Sequence, residues 1–374
     1  MKTIADRFVL LALLAVVALM GCGKDEREPL TIPGSYDGAA FAANTATQAA
    51  VRNQLEQLVT EIKKGRVSGV TLDFTTLHDL FVTGAPSLYS ISTPYYRSQI
   101  DGVGNWLDEL AKASGGAYTP GAPAGGQGGV YGSYLFDENG LELEQMVEKG
   151  LFGAALYNHA LALTQDGLTP AEVDQVASVF GAPPSFPNTN NAASTATPDK
   201  FLAGYAARRD KNDGSGLYTT IRDNFIKLQA AVKAGDDYKE EQEEALEAIL
   251  ENWEKANAAT IINYCHSVIS ALSATNPTDS QKAGALHSCS EAVGFIQGWR
   301  TLSRKTITDA EIDEVLTLLN APQGGTPTLY KFATDPVTEL PKLTEAIDKL
   351  KGIYGFSTQE IEDFRKNWVA EQGR

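Results

Sequence analysis

Glu144 and Glu148 stand four residues apart, and so do His287 and Glu291, so on a helix each pair projects to one side. Leu141, Leu151, Phe152 and Ala155 share the side of Glu148, and Phe295 shares that of Glu291. Gly284, Gly294 and Gly298 allow close helix approach on the second element. Both pairs are therefore expected on inward, packed faces. Like charges at i,i+4 cost roughly 0.2–0.5 kcal/mol even at a surface, and desolvation raises that cost. Each carboxylate then needs a proton, an Arg or Lys, or a metal ion beside it. Carboxylates and imidazoles from facing helices are how metal centres are built in helical bundles. This donor set suits iron, manganese, zinc or calcium. A hydrogen-bonded polar cluster with no ligand accounts for the same residues. His266, which a hairpin turning at Asn276–Ser280 sets at the height of His287, is the candidate extra ligand, with Tyr264 and Gln145 as neighbours. His78 and His159 have no carboxylate or cysteine partner at a telling spacing and receive no role.

Enzyme signatures are missing. The chain has no HExxH, no nucleophile elbow, no P-loop and no Cys-His nucleophile setting beyond the proximity of Cys289 to His287. Glu148 and Glu291 could form an acid/base pair, but no substrate-shaped pocket follows from sequence. Hydrolysis is the weakest of the three readings considered.

The elements that must position these residues are helices, and several are written twice. Leu168–Val176 running on to Ala182-Pro183 is echoed by Ile307–Val315 running on to Ala321-Pro322. Leu143-Glu144, Glu148 and Phe152 are echoed by Leu286-His287, Glu291 and Phe295. A third correspondence pairs Val51-Arg52-Asn53 with Ile221-Arg222-Asp223, and Lys63-Lys-Gly65 with Lys233-Ala-Gly235. Three collinear matches predict a duplication, with repeats of about 34–200 and 201–374 inside a single domain spanning 34–374.

Helical periodicity predicts helices over Gln48–Gly65, Pro94–Ser114, Gly140–Thr164, Thr169–Phe180, Tyr218–Gly235 and Lys239–Leu272. Asp279–Arg300, Thr308–Leu319, Val337–Lys351 and Thr358–Ala370 follow. Thr169 with Glu172 and Thr308 with Glu311 have the form of capping boxes, and Thr358 has a cap without a box. No alternating strand pattern appears, so the fold class expected is all-α, a helical bundle. Gly115–Gly132 and Ala182–Pro198 read as irregular: flexible surface insertions, or a lid or partner-binding loop.

Residues 1–21 read as a lipoprotein signal peptide. Lys2 and Arg7 form a basic region, Phe8–Met20 is apolar but too short to span a membrane, and Leu19-Met20-Gly21-Cys22 matches a lipobox. Cys22 is then the lipidated first residue of the mature chain, and residues 22–33 are a tether. Gly23, where an aspartate would retain the protein in the inner membrane, favours the outer membrane. Lys24-Asp25-Glu26 is either a surface-export tag or a solvated linker, so the domain faces the periplasm or the cell surface. The formal charge of −16 argues against nucleic acid or an anionic membrane face as partner. Cys265 and Cys289 flank the breaker Asn276–Ser280, which folds one helix back on the next and sets them at similar height. They form a disulfide, as an oxidising compartment permits, or remain two buried thiols.

The lipobox, Gly140-Leu-Glu-Leu-Glu-Gln145, Glu148-Lys149-Gly150-Leu-Phe-Gly-Ala154 and His287-x3-Glu291-Ala-Val-Gly-Phe-Ile296 together resemble an uncharacterised family of imelysin-like envelope lipoproteins. The resemblance covers about Ile32–Arg300 and extends to the C-terminal helices. It implies a duplicated bundle of two four-helix halves, like that of imelysin and a related iron-uptake component. Those relatives carry Gly-x-His-x-x-Glu; here the second copy reads Gly284-Ala-Leu-His287-Ser-Cys-Ser-Glu291, one residue wider on each interval. The family's His-Trp-Asp-Glu segment is replaced here by Val176–Pro183, so activity that depends on it is not implied. The combined expectation is a non-enzymatic, outer-membrane-anchored binding protein. It would use Glu144, Glu148, His287, Glu291 and His266 to take iron, zinc or haem in an uptake system. The alternative is a structural or adaptor lipoprotein that meets another envelope protein and has no ligand site.

Overall fold

A computed structural model describes residues 27–121, 127–165 and 167–374. The signal region and Cys22 lie outside the described residues. The described residues are mostly helical, with one small hairpin among them. The principal helices are α1 (Ala46–Lys63), α2 (Phe74–Val82), α3 (Pro94–Ile100) and α4 (Trp106–Ala113). After β1 (Gly129–Tyr131) and β2 (Tyr134–Phe136) come α5 (Leu143–Leu151), α6 (Asn158–Leu163) and α7 (Pro170–Phe180). The second part holds α8 (Phe201–Arg209), α9 (Leu217–Ala234), α10 (Lys239–Leu272) and α11 (Asp279–Gln297), then α12 (Asp309–Leu318) and α13 (Pro336–Tyr354). No helix of the described residues is long and apolar enough to cross a membrane.

α10 is the spine. It packs along α9 on one side and α11 on the other, and α11 in turn lies on α5. Its Trp253 is fully buried, with Tyr157 5.2 Å and Phe180 4.8 Å away between ring centroids. Tyr157 also meets Trp299 at 4.5 Å, so one aromatic knot ties four parts of the chain. A single apolar core runs from Tyr36 to Val369.

Local sequence explains where the helices begin and stop. Thr169 with Glu172 and Thr308 with Glu311 form the capping boxes expected of them, and α7 ends on Gly181 in the left-handed region. Ser357, not Thr358, caps the C-terminal turn Thr358–Asp363, with Glu360 completing the box. That segment is two short helices, the second being Trp368–Gln372.

Four further expectations need correction. The helix expected over Pro94–Ser114 is broken between α3 and α4, because Gly102 and Gly104 adopt positive φ and turn the chain. The stretch Gly140–Thr164 is not uniform: α5 passes into a π-helical segment, Phe152–Tyr157, before α6. The Ala154 carbonyl in that segment accepts from the Thr93 N–H at 2.9 Å, a partner from outside the helix. The Gly115–Gly132 stretch feeds a hairpin whose two-residue turn is Gly132-Ser133, although strands were not anticipated. Only the first half of Ala182–Pro198 is packed, with Phe186, Asn188 and Thr189 buried, whereas Ala192, Ala193, Ser194, Ala196 and Thr197 are exposed as a surface insertion would be.

Candidate functional site: a closed ring of acids and bases

The end of α1, the start of α5 and the middle of α11 converge on one polar centre. α5 and α11 approach with almost no side chain between them. A Cβ on Gly294 would collide with the Gln145 carbonyl oxygen, and one on Gly298 with that of Gly150. This contact brings the acids of α5 within reach of those on α11.

The acids Glu142, Glu144, Glu148 and Glu291 alternate with the bases Arg66, His287, Lys149 and Lys63 around a closed circuit. Arg66 donates from Nε to Glu144 Oε2 at 2.7 Å and from Nη2 to Glu142 Oε1 at 2.8 Å. The other Glu142 oxygen lies 2.5 Å from His287 Nδ1, and His287 Nε2 is 3.4 Å from Glu291 Oε2. Lys149 Nζ is 3.4 Å from Glu291 Oε1 and 2.7 Å from Glu148 Oε1. Lys63 closes the circuit, 3.5 Å from Glu148 and 3.6 Å from Glu144. Glu142, Glu144, Lys149 and Glu291 are buried, whereas the Lys63 side chain is 44% exposed.

Aromatic rings wall the circuit. Tyr134 of β2 stacks on His287 at 4.2 Å with the planes 12° apart, and the Arg66 guanidinium lies over the same Tyr134 ring at 5.1 Å. Tyr205 reaches Glu291 at 3.4 Å and stands beneath the Lys149 ammonium at 5.3 Å. The hairpin is therefore part of the site, since it delivers Tyr134.

Electrostatics follow from the neighbours. Burial and the adjacent Glu142 push the Glu144 carboxyl up to about 8 in spite of Arg66. Burial also opposes charge on Glu148, but Lys149 and Lys63 overcome it and hold its pKa down to about 2. Burial works to lower the Lys149 pKa, but Glu148, Tyr205 and Glu291 outweigh it and keep it well above the ordinary value. His287 behaves likewise: burial lowers its pKa, and the Glu142 hydrogen bond and charge more than reverse this.

Glu144, Glu148, His287 and Glu291 are thus brought together as their spacing implied. His266 is not among them. It neighbours Cys265 on α10, and adjacent helical residues point about 100° apart. Cys265 faces the Cys289 region of α11, which turns His266 toward Glu362 and Arg365 of the C-terminal segment. Cys265 and Cys289 are free, buried thiols, so the disulfide alternative does not hold in this structure. His78 does have a carboxylate, Asp101, at 2.6 Å. Among the described residues, no group of three or more His, Cys, Asp or Glu side chains has the arrangement to hold a metal ion.

Sequence reasoning missed Arg66, Glu142, Lys149, Lys63 and Tyr134. Arg66 and Lys63 are legible in retrospect as a basic cluster ending α1. A lysine between Glu148 and the apolar run Gly150–Leu156 is the signal for Lys149. Glu142 precedes α5 as its N-cap, outside any helical spacing rule, and its N–H is held by Ser290 Oγ at 2.9 Å.

Residues 185–340 match a family model described as a domain of unknown function, DUF4856. That stretch includes His287 and Glu291 but none of the α1 and α5 members of the ring. No curated protein matches the chain, and no solved structure does.

Proposed function

We propose that this chain is a non-enzymatic envelope lipoprotein, held to the outer membrane through Cys22, that works as a helical adaptor or binding body. The ring of acids and bases is its structural lock. The observation that carries this reading is that every ring carboxylate already has a protein base on it, from Arg66 at one end to Lys149 at the other. The acidic set is thereby neutralised without a metal. A duplicated, imelysin-like ancestry fits the lock's placement between the halves 34–200 and 201–374. It is supported by α1 and α9, 18 residues each, and by the matching capping boxes that open α7 and α12.

A second reading keeps iron or zinc as cargo on Glu144, Glu148, His287 and Glu291. It is favoured by their convergence from two helices, and it requires Lys63 and Lys149 to leave. Elemental analysis of the purified protein, with thermal melts in added Fe(II) or Zn(II), separates the two. A metal-free protein whose melting is unmoved by either ion supports the lock. Stoichiometric metal, lost in Glu148→Ala/Glu291→Ala, replaces it with the cargo reading. Labelled fatty acid incorporated by the wild type and not by Cys22→Ala tests the anchor, and protease shaving of intact cells tests which side of the outer membrane the domain faces.

A further inference from the structure

Away from the ring, α1 borders a second polar feature that the lock does not use. A cavity of about 250 Å³ lies between α1 and the segments around Gly181–Pro184 and Ala196–Phe201. Arg52 opens onto it. Among the described residues the Arg52 side chain has no ion pair and no hydrogen bond, and its Nε is buried without a partner. The Arg52 side chain as a whole is half-buried, and Nε is its one enclosed donor. A buried donor without an acceptor is costly, because its hydration has been removed and nothing replaces it. Burial accordingly lowers the Arg52 pKa from its usual value, with only Glu56 acting in the opposite sense.

The sequence-related helix α9 shows how such an arginine is ordinarily satisfied. Arg222, which corresponds to Arg52, pairs with the adjacent Asp223 at 2.8 Å. The position after Arg52 is Asn53, so the neutralising carboxylate is missing there. Glu56 cannot replace it in full, since its carboxylate is taken by Lys200 at 2.7 Å. Arg52 and Lys200 against Glu56 leave the cavity one positive charge in excess. Phe41, Pro184 and Phe201 supply apolar wall.

We infer that this cavity binds a small monocarboxylate with an apolar body, its carboxylate on the Arg52 guanidinium and its body against Phe41 and Phe201. One excess positive charge matches a monoanion. A hydrated phosphate dianion would meet both the apolar wall and Glu56. A benzene-sized body is accommodated by cavities of roughly 150 Å³, so a ring bearing one carboxylate suits the space.

The test is calorimetric titration of the purified protein with benzoate at low ionic strength, with benzyl alcohol and inorganic phosphate as comparison titrants. Saturable benzoate binding is expected, with neither comparison compound binding. Arg52→Gln is expected to weaken it by about tenfold or more, the worth of a charge-assisted hydrogen bond. Should Arg52→Gln fold poorly, Asn53→Asp reproduces at this exposed position the carboxylate found at Asp223 and is expected to weaken benzoate binding as well. Absence of saturable benzoate binding, equal binding of benzyl alcohol, tighter binding of phosphate, or unchanged affinity in a folded Arg52→Gln or Asn53→Asp protein would each overturn the assignment.

Discussion

Arg66 is shared between Glu142 and Glu144, giving one hydrogen bond to the first at 2.8 Å and two to the second at 2.7 and 3.0 Å. One guanidinium thus ties together two buried carboxyl groups. Removing one member of a buried ion-pair network leaves its partners charged and unhydrated, at a cost of about 3–5 kcal/mol. Arg66→Met should lower unfolding stability by about that amount. Urea denaturation followed by circular dichroism measures it; a loss below about 1 kcal/mol, typical of surface pairs, would mean that the ring contributes no lock.

The ring also sets a pH dependence. Glu144 has its folded pKa raised from 4.5 to about 8, so its unfolded form gives up a proton first. Stability linked to it is present below 4.5 and declines as pH rises toward about 8. His287, raised by Glu142, acts in the same direction: its contribution is intact below its unfolded pKa and fades as pH climbs through the folded one. Glu148 acts oppositely, contributing above 4.5 and losing that contribution as pH falls to about 2. Denaturation midpoints should therefore be higher at mildly acidic pH than at pH values near 8. Glu144→Gln, which cannot ionise, should flatten the alkaline side, and an unchanged slope there would remove Glu144 from the explanation.

The thiols offer a separate check. Cys265 and Cys289 are buried, and burial pushes the Cys265 thiol up to about 12 and raises Cys289 well above its usual value. Neither should react with a thiol reagent in the native protein, and both should react in denaturant. Melting temperature should be the same with and without reductant. A drop on reduction would reveal a bond between them.

Close packing of α5 on α11 predicts a further cost. Gly294→Ala places a methyl group against the Gln145 carbonyl, where the opposing backbone cannot yield as a side chain would. Overpacking of this kind costs about 1–3 kcal/mol. The same variant should move the near-ultraviolet signal of Tyr134, since the stack on His287 depends on where α11 sits. A neutral substitution at 294 would show that the helices have slack.

Much of the helical frame was legible. α10 begins and ends at the residues its periodicity marks, and the capping boxes of α7 and α12 announce their starts in four-letter form. Spacing also identified Glu144, Glu148, His287 and Glu291 as inward-facing. The partners were not legible, because they come from outside the helical repeat. Glu142 sits in an extended N-cap position, Arg66 follows α1 in a 3-10 turn, and Tyr134 rides on a strand three residues long. A strand that short shows no alternation to count. The identity of the neutralising groups, which separates a lock from a metal centre, was therefore invisible to pattern alone. His266 failed for a related reason: equal height in a hairpin says nothing about which way a side chain is turned.

The π-helical stretch Phe152–Tyr157 leaves the chain with one residue more than a regular α-helix would use there. Apolar positions numbered forward from Leu143 and backward from Leu163 consequently fall out of phase. An alignment to a relative without that extra residue must open its gap inside 152–157. Placed earlier, the gap would detach Glu148 and Lys149 from their counterparts; placed later, it would detach Tyr157 from Trp253 and Trp299.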